Sequence, residues 1–217
     1  MGVGSLSGGR AVFLDRDGVL NRNVFNPLTG TYESPHRAED FELLPGVLEG
    51  LALLQRTGYR LILVSNQPSY AKRKTSLAAI RAIHQRLACA LDGAGILFDA
   101  FCYCLHHPDG TIPEFSGRCQ CRKPSPYFLL QAKARFDLDL ANSWMIGDRE
   151  TDVLCGLAAG VRTIRVAADH PGPGSGQPTA AERTARDLAD AASWLAAADR
   201  LAGVRPGRPL VRPGQRM

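Results

Sequence analysis

Short apolar runs alternate with helical stripes along most of the chain. The runs Ala11–Leu14, 61–64, 98–103, 144–146 and 163–166 are brief, mostly apolar and bounded by polar or glycine-rich punctuation, as strands buried on both faces should be. Between them, Val47, Leu48, Leu51 and Leu54 share one helical face, and Gly58 follows as a stop. Thr75 stands where it would cap a second helix with the stripe Leu77, Ile80, His84, Leu87 and Leu91. Ser125 and Pro126 read as the N-cap and first-turn proline of a third, and Glu150–Ala159 forms a fourth. The alternation predicts an α/β fold: a doubly wound, mainly parallel sheet with helices on both faces.

Two stretches break the alternation. Residues 21–44 are polar and loop-like, and residues 105–121 form a second long insert. Loops of this length in an α/β domain are usually functional or stapled. Neither can hold a separate cap domain. Residues 1–169 therefore read as one domain, 170–179 as a Pro/Gly linker, 180–202 as an Ala-rich helix and 203–217 as a disordered basic tail.

Composition narrows the class. The chain has 217 residues, 45% hydrophobic and 22% charged, with no apolar run near the ~18 residues of a membrane helix. Its start lacks the pattern of a signal peptide, so a cytoplasmic location without membrane partners is expected. The net charge is +5, but much of the excess sits in the tail, at Arg205, Arg208, Arg212 and Arg216. No nucleic-acid recognition motif accompanies it. A small anionic substrate is the expected partner, with the chain a monomer or weak oligomer.

The ends of four successive strand runs carry the chemistry. The first ends in Asp15-Arg16-Asp17-Gly18, the second in Ser65-Asn66-Gln67. Arg122-Lys123-Pro124 follows the third, and Gly147-Asp148-Arg149-Glu150-Thr151-Asp152 the fourth. Ligands of open α/β sheets bind at the carboxyl ends of strands. Two carboxylates, neutral donors, a cation and further carboxylates suit transfer of a phosphoryl group. A magnesium ion held by Asp15, Asp148 and a main-chain carbonyl near Asp17 would screen a phosphate dianion from the carboxylates. Asp15 would attack phosphorus and form an aspartyl-phosphate, and Asp17 would serve as acid and then base. Lys123, Ser65 and Asn66 would hold the equatorial oxygens. Lys72, Arg73, Lys74, Arg122 and Arg149 offer a second anion clamp.

Four of the six cysteines lie within 102–121. Cys104-Leu105-His106 and Cys119-Gln120-Cys121, with twelve residues between the pairs, suit a structural zinc. His106 and His107 compete as the imidazole ligand, and Cys102 belongs to the strand.

AVFLDRDGVLN, LVSNQ, CRKP and MIGDRETD resemble, in order, the four motifs of the haloacid dehalogenase (HAD) superfamily, across about two-thirds of the chain. The resemblance implies Asp15 as nucleophile, Asp17 as acid/base, Ser65 and Lys123 on the phosphoryl group, Asp148 on magnesium and Asp152 behind the metal. CLHHPDG…CQCRKP is similar to the zinc-bearing branch with a minimal cap, which holds heptose 1,7-bisphosphate 7-phosphatases and histidinol-phosphate phosphatases. There the zinc ligands match Cys104, His106, Cys119 and Cys121. The resemblance thus implies a sugar bisphosphate phosphatase, with a histidinol-phosphate phosphatase as the alternative. The chain departs from the branch at Asn23-Val24-Phe25-Asn26-Pro27 and at Pro68-Ser69-Tyr70-Ala71-Lys72-Arg73. Both segments would face the leaving group, with Asn23 and Asn26 as substrate contacts.

Overall fold

The computed structural model describes residues 8–168, 170 and 178–204. The eight strands there are β1 (Ala11–Leu14), β2 (Val24–Asn26), β3 (Thr31–Glu33), β4 (Arg60–Asn66), β5 (Ala100–Cys104), β6 (Trp144–Gly147), β7 (Arg162–Val166) and β8 (Arg183–Ala185). The α-helices are α1 (Val47–Arg56), α2 (Leu77–Gly93), α3 (Tyr127–Phe136), α4 (Glu150–Ala159) and α5 (Leu188–Leu201).

Among the described residues, one sheet runs β5-β4-β1-β6-β7-β8, with every pairing in it parallel. Alternate residues of each central strand enter opposite cores. Val12, Leu14, Leu61, Leu63 and Trp144 pack with α1, α2 and α5, while Ala11, Phe13, Ile62, Val64 and Met145 pack with α3 and α4. The sheet is therefore doubly wound. Strand order reverses at β1, which pairs with β4 on one side and β6 on the other, opening a crevice at its carboxyl end.

Sequence pattern and structure differ at informative points. The second helix is capped by Ser76, whose Oγ accepts from Ala79 N at 3.0 Å. Thr75, expected as the cap, instead donates to His36 O at 2.6 Å. The third helix starts at Tyr127, so Ser125 and Pro126 lie just before it. The stretch 21–44 contains an antiparallel hairpin of β2 and β3, with register Val24↔Glu33 and Asn26↔Thr31. The helix expected from residue 180 begins at Leu188, capped by Asp187. Residues 183–185 instead extend the sheet as β8. Alanine content masks this edge strand, which is too short and polar to show a period-two pattern. Arg10 fastens α5, with Nη1 at 2.8 Å from both oxygens of Asp199. Residues 171–177 of the linker expected at 170–179, and the tail beyond 204, lie outside the described residues.

Candidate active site

The main chain after β1 turns back at once: Leu20 N and Asn21 N donate to Arg16 O, and Gly18 N to Asn21 O. Gly18 has φ +85°, and a Cβ there would stand 2.4 Å from Asp148 Oδ2. Glycine thus lets the β1 and β6 ends close on each other. Gly147 plays the same part on β6, since a Cβ would reach within 2.2 Å of Asp152 Cβ.

Asp15, Asp17, Asn23, Asn66, Arg122, Lys123, Asp148, Arg149 and Asp152 all line one cavity of about 780 Å³. The strand ends thus gather most of the residues singled out in the sequence. Asp15, Asp148 and Asp152 are buried, and one oxygen of each lies within 4.8 Å of the others. Lys123 Nζ stands 2.9 Å from Asp15 Oδ1 and 2.7 Å from Asp152 Oδ1, and donates to Val64 O at 2.7 Å. Those partners account for its three hydrogens. Burial disfavours the charge on Lys123, but Asp15 and Asp152 outweigh it and hold the ammonium above its ordinary pKa. Asp148 has no such partner close by. Its Oδ1 is buried without a hydrogen bond, and Arg149 Nε is 3.9 Å from Oδ2. Burial, followed by the charges of Asp15 and Asp152, pushes Asp148 up to about 8. A buried orphan oxygen among carboxylates is a fitting seat for a hard, oxygen-seeking cation.

Two expected contacts, Asn66 and Asn26, take other positions, and Ser65 and Asp17 are each held by neighbouring side chains. Asn66, expected on phosphoryl oxygens, spends its amide on Lys123: Nδ2 donates to Lys123 O and Oδ1 accepts from Lys123 N. Ser65 is 1% exposed and its Oγ accepts from Gln67 Nε2 at 3.0 Å, beneath the cavity lining. Asn26 does not reach the cavity, because its Oδ1 accepts from Leu28 N inside the hairpin turn. The side chain of Asp17 stays out of the carboxylate trio, held by Arg16, Asn21 and Gln67. Arg16 and Gln67 were passed over in the motif reading. Their signal was position alone, next to the first carboxylate and at the end of LVSNQ.

One side of the cavity is built from the hairpin and the loop after β4. Thr31, Tyr32, Glu33 and Ser34 line the cavity opposite Ser69, Lys72 and Lys74. Three links pin the two segments together. Lys74 Nζ is 2.6 Å from Glu33 Oε1, Ser34 Oγ is 3.1 Å from Ser69 Oγ, and Thr75 bonds His36 O. Partial burial would raise Glu33, but Lys74, Thr29 and Asn26 outweigh it and bring the carboxyl down to about 2. Tyr32 stacks on His170 at 3.8 Å between ring centroids. Of the expected clamp, Lys72, Arg122 and Arg149 line the cavity, Lys74 is paired with Glu33, and Arg73 stays outside the lining.

The Cys/His cluster is compact. Cys104 Sγ lies 3.6 Å from Cys119 Sγ and 3.1 Å from Cys121 Sγ, and Cys119 and Cys121 are 3.6 Å apart. His106 Nδ1 is 3.6 Å from Cys121 Sγ and 3.9 Å from Cys104 Sγ. Tetrahedral zinc with bonds of about 2.3 Å puts sulfurs about 3.8 Å apart, so this cluster could bind zinc with little adjustment. His106, not His107, lies among the three sulfurs, and His107 Nδ1 instead accepts from Asp109 N at 3.0 Å. Cys102 packs against the second core, and burial raises its thiol pKa. The loop is tied to the cavity through Arg122, whose Nη1 donates to His106 O at 3.3 Å.

Comparison with known proteins agrees with this geometry. A HAD-hydrolase-like family model matches residues 120–191. The chain is 39% identical over 153 residues to D-glycero-beta-D-manno-heptose-1,7-bisphosphate 7-phosphatase of Vibrio cholerae, covering 70% of this chain and 78% of that protein. It is 35% identical over 164 residues to D-glycero-alpha-D-manno-heptose-1,7-bisphosphate 7-phosphatase of Photorhabdus laumondii, covering 75% and 85%. Among solved structures it resembles D,D-heptose 1,7-bisphosphate phosphatase of B. bronchiseptica, complexed with magnesium and phosphate. There the TM-score is 0.70, with 29% identity over 86% of this chain and 97% of that one.

Proposed function

The chain belongs to the heptose-1,7-bisphosphate 7-phosphatase family of HAD-like hydrolases, and on that premise we propose that it removes the 7-phosphate from a D-glycero-D-manno-heptose 1,7-bisphosphate. It is a phosphoric monoester hydrolase acting on a small phosphorylated sugar. Asp15 is the nucleophile. Its Oδ1 is taken by Arg16 N at 2.7 Å and Lys123 Nζ, which leaves Oδ2 for phosphorus. As the Oδ2–P bond forms, the bond from phosphorus to the sugar oxygen breaks, and Asp17 gives that oxygen its proton. Asp17 then takes a proton from water, whose oxygen attacks phosphorus and frees Asp15 and inorganic phosphate. Asp15, Asp148 and the Asp17 carbonyl would hold magnesium, which when bound screens the phosphate dianion from the carboxylates. Cys104, His106, Cys119 and Cys121 would hold a structural zinc that fixes Arg122 and Lys123, with no open position for chemistry.

The observation that carries the bisphosphate reading is a second cationic zone in the same cavity. Lys72, Arg122 and Arg149 line it together with the carboxylates. Burial lowers the pKa of Arg122, Cys104 and Cys119 oppose this, and the charge of Arg149 adds to the lowering, so an anion near the two guanidinium groups would relieve their repulsion. A phosphate suits that place; the cationic amine of histidinol phosphate does not. No helix among the described residues is long and apolar enough to cross a membrane, and work in the cytoplasm fits a soluble sugar phosphate. A phosphate-release screen should compare both anomers of heptose 1,7-bisphosphate with fructose 1,6-bisphosphate and histidinol phosphate. One heptose anomer should show the highest kcat/KM. Preference for histidinol phosphate would overturn the assignment.

A further inference from the structure

Asp17 is held by three side chains that do not line the cavity. Its Oδ1 accepts from Arg16 Nε at 3.1 Å, Arg16 Nη2 at 2.9 Å and Asn21 Nδ2 at 3.0 Å. Its Oδ2 accepts from Gln67 Nε2 at 2.6 Å and, at a longer 3.2 Å, from Arg16 Nη2. Arg16 and Asn21 are fully buried and Gln67 is 2% exposed. The orientation of the Gln67 amide follows from its neighbours. Arg16 has only donors, and its Nη2 reaches Gln67 Oε1 at 2.9 Å. Nε2 must then face the other way, where it meets Asp17 Oδ2 and Ser65 Oγ. One amide therefore spends its two hydrogens on two different functional groups.

From this we infer that Gln67 is a positioning residue for the reaction, resting on the reading of Asp17 as acid and base. Oδ1 carries three donors, while Oδ2 has one close donor, Gln67 Nε2, so Oδ2 is the oxygen with more room to meet the sugar oxygen. The Gln67 hydrogen on Oδ2 also stabilises the carboxylate left once the proton has passed to the departing alkoxide. On the other side, Ser65 Oγ accepts from Gln67, so the hydroxyl hydrogen is directed elsewhere and is available to a phosphoryl oxygen. Gln67 thus sets two groups of the site at once without touching the substrate.

The test compares leaving groups. A sugar alkoxide needs a proton to depart; nitrophenolate is a stable anion and does not. kcat/KM covers the steps through departure of the leaving group, so the later work of Asp17 on water does not enter. The sugar bisphosphate and p-nitrophenyl phosphate are each assayed with Gln67→Met, Gln67→Glu and Asp17→Asn. Both Gln67 variants should lose kcat/KM on the sugar phosphate by about 10- to 100-fold, within the range typical of proton-transfer catalysis. On p-nitrophenyl phosphate the loss should be about threefold, the share carried through Ser65. Gln67→Glu keeps the volume and the Arg16 contact but cannot donate to Asp17. It serves if Gln67→Met does not fold, and zinc content and circular dichroism report folding. Equal losses on both substrates, or none, while Asp17→Asn remains selective, would overturn the role of Gln67 alone. An Asp17→Asn variant without selectivity would remove the premise as well.

Discussion

Lys123, on the loop before α3, reaches Asp15 at the end of β1, with Nζ 2.9 Å from Oδ1, and both side chains are buried. The ammonium balances Asp15 and, through Asp152, the start of α4. Lys123→Met would leave those carboxylates without their cation, which should cost about 3–5 kcal/mol of stability, as breaking buried pairs does. Urea unfolding measures it. Asp15→Asn should keep the fold and reduce phosphate release by more than about 10³-fold, as removal of a covalent nucleophile does. Near-wild-type turnover in that variant sinks the nucleophile assignment.

Arg149 is exposed enough to serve an incoming anion, with its side chain 60% accessible. Arg149→Ala should lower kcat/KM for the heptose bisphosphate by about 10- to 100-fold, equivalent to one or two charge-assisted hydrogen bonds. Heptose 7-phosphate, without the second anion, should lose far less. Equal losses on the two sugars would place Arg149 at the transferred phosphoryl group instead.

Metal analysis should find about one zinc per chain, as a single four-ligand site requires. The double variant Cys119→Ser, Cys121→Ser should contain none. Because Cys121 is two residues from Lys123, that variant should lose activity even with magnesium in excess. Full activity without zinc would show that the loop orders itself. Removal of magnesium alone should stop turnover and be reversed by adding it back.

Asp148 ties metal to pH. Buried beside Asp15 and Asp152, its pKa rises from 3.8 to about 8 in the metal-free fold. The folded chain then keeps a proton that the unfolded chain has released. The stability this gives is full below the unfolded value and is lost as pH rises through about 8. Magnesium requires the ionised form and offsets the loss. The metal-free Tm should fall between about pH 5.5 and 8.5, and magnesium should raise Tm more at the higher pH. A larger magnesium effect at low pH would contradict the burial of this carboxyl.

Much of this was legible in the sequence, and the exceptions have physical causes. Central strands such as Ala11–Leu14 are buried on both faces, so an unbroken apolar run marks them. Asp15 and Asp148 follow strand ends that topology alone brings together, and the loop between β5 and α3 carries Lys123 to them. Side-chain commitments are a different matter. Asn66 and Asn26 have the right chemistry for substrate, but nearby main-chain groups claim them first. Gln67 sits beside Ser65 and Asn66 in the sequence, yet its partners Arg16 and Asp17 are about fifty positions away. The β2–β3 hairpin escaped because its strands are three residues long and half polar. The sulfur positions favour His106 over His107, a choice that spacing left open.

The hairpin segment is fastened to the loop after β4 by three bonds: Glu33 to Lys74, Ser34 to Ser69, and the Thr75 hydroxyl to the main-chain carbonyl of His36. None of these residues is shared with the carboxylates and lysine at the strand ends. Mutation can therefore lengthen, shorten or re-pin this segment while the phosphoryl machinery stays as it is. A hairpin that contacts the sugar would let substrate choice vary separately from bond-breaking, so descendants could acquire new sugars without first losing a working phosphatase.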